Sequence, residues 1–80
     1  MKCVYLLQSI PFPNQRYIGM TDKLKNRLEN HNSGGSPHTA KFRPWKIAVA
    51  IHFKDDRKAA AFEQYLKSGS GRAFANRHLW

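Results

Sequence analysis

The stretch RYIGMTDKLKNRLENHN, Arg16–Asn32, decides how this chain folds. Its first part, RYIGMT, carries aromatic and β-branched residues that suit a pleated strand. Thr21 or Asp22 then offers a side-chain oxygen to cap a helix, DKLKNRLENHN is rich in helix formers, and the following SGG stops it. Strand followed at once by helix is the local signal from which the rest of the chain is placed.

Upstream, KCVYLLQS (residues 2–9) is apolar on both alternating faces, as a central strand covered on both sides would be. IPFPN ends it with two prolines and an Asn. The two strands therefore form a hairpin with a long loop, whose register the sequence leaves open. Downstream, SPHTAKFRP has no clear period and reads as a basic loop. WKIAVAIHF alternates, with Ile47, Val49, Ile51 and Phe53 on one bulky face. DDRKAAAFEQYLKSG opens on a good cap and closes on Gly69, and SGRAFANRHLW holds a last short helix beginning near Ser70. The order β-β-α-β-α-α predicts an α+β fold: a small three-stranded antiparallel sheet flanked by helices, in one domain over residues 1–80.

Angular position separates the polar residues. With ~100° per residue and Leu24 at zero, Leu28 lies at about +40°, Arg27 at about −60° and His31 at about −20°. Arg27 and His31 thus share the apolar side with the two leucines, while Lys25, Asn26, Glu29 and Asn30 face away. A structural reading competes here: Arg27 bonded to a buried carbonyl and His31 a satisfied core histidine. On the later helix, with Ala59 at zero, Leu66 lies at about −20°, Phe62 at about −60° and Glu63 at about +40°, which turns Glu63 toward the sheet. A carboxylate there needs a positive partner. Of the five acids, Asp22, Asp55 and Asp56 sit at helix starts and Glu29 points outward near Lys25. Glu63 alone lacks a surface explanation. Its partner is either Lys67 at i,i+4 or a hard cation; Mg²⁺ often takes one or two protein carboxylates and completes its shell with water and phosphate oxygens.

Charge narrows the partner. Fourteen Lys and Arg against five acids give +9 and a pI of 10.2, which points to a polyanion, nucleic acid ahead of an acidic membrane. No segment pairs a basic face with a broad apolar one, and the longest apolar run, Ile47–Ile51, is too short to cross a bilayer. The N-terminus lacks the pattern of a signal peptide. Cys3 is the single cysteine, so neither a disulfide framework nor a cysteine zinc site is expected, and a cytoplasmic, reducing location is the simplest inference.

These residues resemble the GIY-YIG endonuclease family, closest in appearance to its small single-domain bacterial members and similar to the N-terminal catalytic domain of UvrC. The first signature appears as Cys3-Val4-Tyr5 and the second intact as Tyr17-Ile18-Gly19. Arg27 matches the catalytic arginine, His31 the His or Tyr one turn later, Glu63 the metal-binding glutamate, and LKSGSGRAF a C-terminal block. The first signature lacks its Gly, the step from Tyr5 to Tyr17 is slightly long, and Asn76 is the local candidate for an Asn found near the site in larger relatives.

The resemblance implies metal-dependent hydrolysis of DNA phosphodiesters to 5′-phosphate and 3′-hydroxyl ends, in repair or recombination. Tyr5, Tyr17, Arg27, His31 and Glu63 would be catalytic and a single Mg²⁺ or Mn²⁺ would sit on Glu63. Tyr5 is the candidate base, helped toward its phenolate by Arg27 and the metal; His31 relays the proton or bonds a phosphate. Lys41, Arg43, Lys67, Arg72 and Arg77 are expected on the DNA backbone, with His38 and Thr39 near the cleft entrance. No side-chain set looks organised for base readout, so selection by DNA structure is expected. A non-catalytic nucleic-acid-binding module and a scaffold with a decayed site are the rival readings. The sequence gives no dimer surface.

Overall fold

A computed structural model describes residues 1–80. β1 (Lys2–Ser9) and β2 (Arg16–Thr21) form the hairpin; α1 (Leu24–Ser33) follows, then a single helical turn α2 (Pro37–Ala40), β3 (Trp45–Phe53), α3 (Asp56–Lys67) and α4 (Gly69–His78). The three strands are antiparallel in the order β2-β1-β3, so the strand that is apolar on both faces is the central one. The expected architecture is present, with one addition: α2 lies inside the segment read as a basic loop.

That turn has a local cause. Ser36 has extended geometry just before it, Pro37 takes the first helical position, and the Ala40 N–H donates to the Ser36 carbonyl at 3.0 Å. Proline is pre-organised for that position; four residues are too few to leave a periodic signal.

The pleat divides β1 between two layers. Cys3, Tyr5 and Leu7 face α1 together with Trp45, Leu24 and Leu28. Val4 and Leu6 face the opposite way, onto Ala59 and Leu66 of α3 and Ala75 of α4. Val4, Leu6, Leu7 and Leu66 have no exposed surface, and each contributes about 1.5–3 kcal/mol by leaving water.

Two boundaries differ from expectation and two agree with it. α1 starts at Leu24 without a side-chain cap; the Thr21 hydroxyl instead accepts the Lys23 N–H at 3.1 Å, fixing the turn before the helix. Gly34 ends α1 as expected, at φ 84°, a conformation that costs glycine little. α3 and α4 are joined at Ser68 rather than Gly69: its hydroxyl donates to the Tyr65 carbonyl at 2.6 Å and accepts the Gly71 N–H at 3.2 Å, closing one helix and opening the next. Asp55 caps α3 as expected, accepting from Arg57 N at 2.8 Å.

The alternation of β3 is also broken. Leu6 pairs with Val49 but Leu7 pairs with Ile47, so Ala48 is an extra residue in a β-bulge. Val49 and Phe53 join the Val4–Leu6 layer, while Ile47 sits opposite Leu7 and is exposed. The expected single bulky face therefore loses Ile47.

Candidate active site

The hairpin register supplies what the sequence left open. Tyr5 pairs with Gly19 and Leu7 with Tyr17, which puts both tyrosines on the α1 side of the sheet. Their ring centroids are 6.1 Å apart. Gly19 makes room for this: a Cβ there would meet the Tyr5 hydroxyl, with the ring Cζ at 2.6 Å and Tyr17 Cε1 at 3.0 Å. The glycine of the second signature is thus a seat for the tyrosine of the first.

α1 delivers Arg27 and His31 as the angular arithmetic predicts. His31 is fully buried, its ring 4.7 Å from that of Tyr17, and its Nε2 is 3.2 Å from the Tyr5 hydroxyl. Its Nδ1 is 2.8 Å from the Thr39 hydroxyl. Burial first, and the Arg27 charge second, hold the His31 pKa below its ordinary value. Arg27 lies beside both phenols, and its polar interaction with the Tyr5 hydroxyl is the main cause of a further rise in its pKa. Burial pushes the Tyr5 phenol above its ordinary value; Arg27 pulls the other way without cancelling it. The expectation that Arg27 favours the phenolate is therefore outweighed in the free protein by desolvation.

Asn32 and Trp45 hold this half in place. Asn32 Oδ1 accepts the Trp45 N–H at 2.6 Å while its Nδ2 donates to the Trp45 carbonyl at 3.2 Å, tying the end of α1 to the start of β3. The Trp45 indole N–H donates to the Thr39 carbonyl at 2.9 Å.

Glu63 belongs to the other layer, on α3. It is half-buried, and its Oε2 accepts from Lys67 Nζ at 3.2 Å. The i,i+4 pair is therefore present, and it leaves Oε1 without a protein partner. No group of three or more His, Cys, Asp or Glu side chains gathers anywhere in the chain. The donor set fits a hard cation that takes one carboxylate and otherwise water and phosphate oxygens, not a protein cage.

The two layers meet at β2. An open cleft of about 530 Å³ lies between β2, α3 and α4, lined by Arg16, Tyr17, Lys67, Arg72, Asn76 and Trp80 among others. Tyr17 thus belongs both to the His31 cluster and to the cleft that carries Lys67, the partner of Glu63.

The expected DNA contacts divide. Lys67 and Arg72 line the cleft, and Arg77 is exposed on α4 beyond it. His38, Lys41 and Arg43 are exposed around α2, with the Lys41 ammonium 5.5 Å from the Phe42 ring centroid. Thr39 is a correction: only 2% exposed, it is spent on His31 and Trp45 and has no face toward a phosphate. Asn76 lines the cleft, where its side-chain oxygen accepts from Arg16 at 2.9 Å. Sequence reasoning missed Arg16 and Trp80, whose guanidinium and ring stack at 4.8 Å. The one available signal was that Arg16 directly precedes the signature Tyr17.

The chain matches the family model described as the GIY-YIG catalytic domain over residues 1–77. It belongs to the GIY-YIG family. Among similar proteins is the structure-specific endonuclease subunit SLX1 of Candida dubliniensis, 41% identical over 95% of this chain and 28% of its own length. The protein of that name from Debaryomyces hansenii is 41% identical over 80% of this chain and 20% of its own length. That from Malassezia globosa is 35% identical over 94% and 17%. The chain spans less than a third of each of these relatives. All three are fungal, so they lend no support to the bacterial affinity expected from the sequence.

Proposed function

We propose that this GIY-YIG domain is a divalent-metal-dependent DNA endonuclease that selects DNA by its structure. The observation that carries the reading is the convergence of Tyr5, Tyr17, Arg27 and His31, with Tyr17 also lining a basic cleft that holds Lys67, the partner of Glu63. Relatives named as structure-specific endonuclease subunits support the substrate class and suggest a partner protein; repair or recombination is the corresponding process.

Hydrolysis requires that charge growing on the phosphoryl oxygens be met and that a water lose a proton. Arg27 meets the charge with a planar, permanently protonated fork. Glu63 would hold one Mg²⁺ or Mn²⁺, which supplies Lewis-acid stabilisation of the leaving 3′ oxygen. Burial keeps Tyr5 a phenol and leaves it 1% exposed; it acts as a relay once substrate binding brings a water to its oxygen, which takes a proton from that water as its own proton passes to His31 Nε2. The products are a hydroxide for in-line attack, a neutral tyrosine and an imidazolium that returns the proton. Burial leaves His31 neutral and ready to accept. Tyr17 positions the water or the phosphate.

The test is nicking of flapped, branched and nicked DNA with Mg²⁺ or Mn²⁺, before and after chelation. Arg27→Ala and Glu63→Ala should each lower the rate by about 10²–10³-fold or more, and chelation should abolish it. Because Glu63 holds only a half-exposed i,i+4 pair, its substitution should leave the denaturation midpoint almost unchanged. Cleavage that survives both substitutions overturns the site. Tight binding with no cleavage on any substrate favours the non-catalytic module.

A further inference from the structure

The relay needs a lone pair on His31 Nε2, and a neutral imidazole has that only when its proton sits on Nδ1. The neighbours of the ring point to one of the two tautomers. Tyr5 of β1, Tyr17 of β2, Arg27 of α1 and Thr39 of α2 surround His31, and Arg27 is the only charged group among them. Nδ1 meets one side chain, the Thr39 hydroxyl at 2.8 Å. That hydroxyl has one other neighbour, the Ser36 carbonyl at 3.4 Å, which can only accept; a hydroxyl proton directed there leaves the Thr39 oxygen to accept from Nδ1–H.

We propose that Thr39 is a positioning residue that holds His31 in the Nδ1–H tautomer, presenting an unprotonated Nε2 to the Tyr5 phenol. Thr39 suits the task because it cannot drift. Its side chain is buried within a one-turn helix, and its carbonyl is pinned by the Trp45 indole at 2.9 Å. The oxygen that orients the imidazole therefore comes from a residue eight positions along the chain, on a separate element, and the bond at one ring nitrogen sets the state of the other. The relay role of the tautomer rests on the endonuclease reading above; the tautomer itself does not.

The experiment reads the two separately. In the free protein at pH 7.5, without DNA or metal, ¹⁵N–¹³C correlation spectra of the His31 ring should show Nδ1–H as the dominant form. Thr39→Val keeps the shape and removes the oxygen; it should move His31 toward Nε2–H and lower kcat about tenfold or more, with KM little changed. Thr39→Ser should restore both the spectrum and the rate. If Thr39→Val does not fold, Thr39→Ala carries the same expectation. An Nε2–H tautomer in the wild type, or a valine variant whose ring spectrum is unchanged, overturns the proposal. Absence of cleavage by the wild-type protein together with the expected spectra would instead overturn the endonuclease reading and leave the tautomer standing.

Discussion

At the scale of single residues, the site is made of groups held in their neutral or charged forms by what touches them. His31 is the clearest case, with a folded-state pKa below that of the unfolded chain. Below about pH 6.5 the unfolded state then binds the extra proton first, so stability present at neutral pH is lost as the pH falls from there toward the depressed folded value. Urea midpoints at pH 7.5, 6.5 and 5.5 should decline in that order, and His31→Gln should flatten the decline. Arg27 and His31 were legible in the sequence because both answer to helical periodicity, a property of one segment alone. Thr39 was not legible: nothing in PHTA reveals that a hydroxyl points at a ring eight residues back. Glu63 was half legible, since its angular position marked it as unusual but could not choose between Lys67 and a cation.

At the scale of elements, the hairpin carries the most information. Its register turns two tyrosines twelve positions apart into neighbours, and the backbone of Gly19 lies directly beneath the Tyr5 hydroxyl. Gly19→Ala should displace that phenol, cost about 1–3 kcal/mol and depress cleavage; chemical denaturation and the nicking assay measure the two effects. The sequence could name the strands but not this register, because register depends on turn geometry and pairing across the loop. The β3 alternation failed for a related reason. A bulge is decided by the partner strand, and WKIAVAIHF taken alone reads as an unbroken strand. The Ser68 junction was missed by one residue because Gly69, directly after Ser68, offers an equally good stop; the observed choice lets one hydroxyl serve two helix ends.

At the scale of the whole molecule, the sheet is a partition. α1 and α2 bring Arg27, His31 and Thr39 to one side, α3 brings Glu63 to the other, and Tyr17 of β2 touches His31 while also lining the cleft that holds Lys67. The fold class and this order of elements were readable in advance. The cleft was not, since Arg16, Arg72 and Trp80 come from opposite ends of the chain. With a charge of +9 and several cations along the cleft, DNA affinity should fall steeply with salt: about −0.9 in log–log slope for each phosphate engaged. Arg72→Ala should make that slope shallower by about one contact, read by fluorescence anisotropy between 50 and 200 mM salt. A salt-independent affinity would contradict a backbone-tracking role for the cleft.

The bulge at Ala48 has a bearing beyond the site. β3 is an outer strand of nine residues whose far side has no strand partner, the kind of edge on which chains add side by side into fibrils. The extra residue twists that row out of line, and Lys46 and His52 stand exposed along it. The irregularity that costs β3 its even alternation is thus of the kind that makes an exposed strand edge a poor template for another chain.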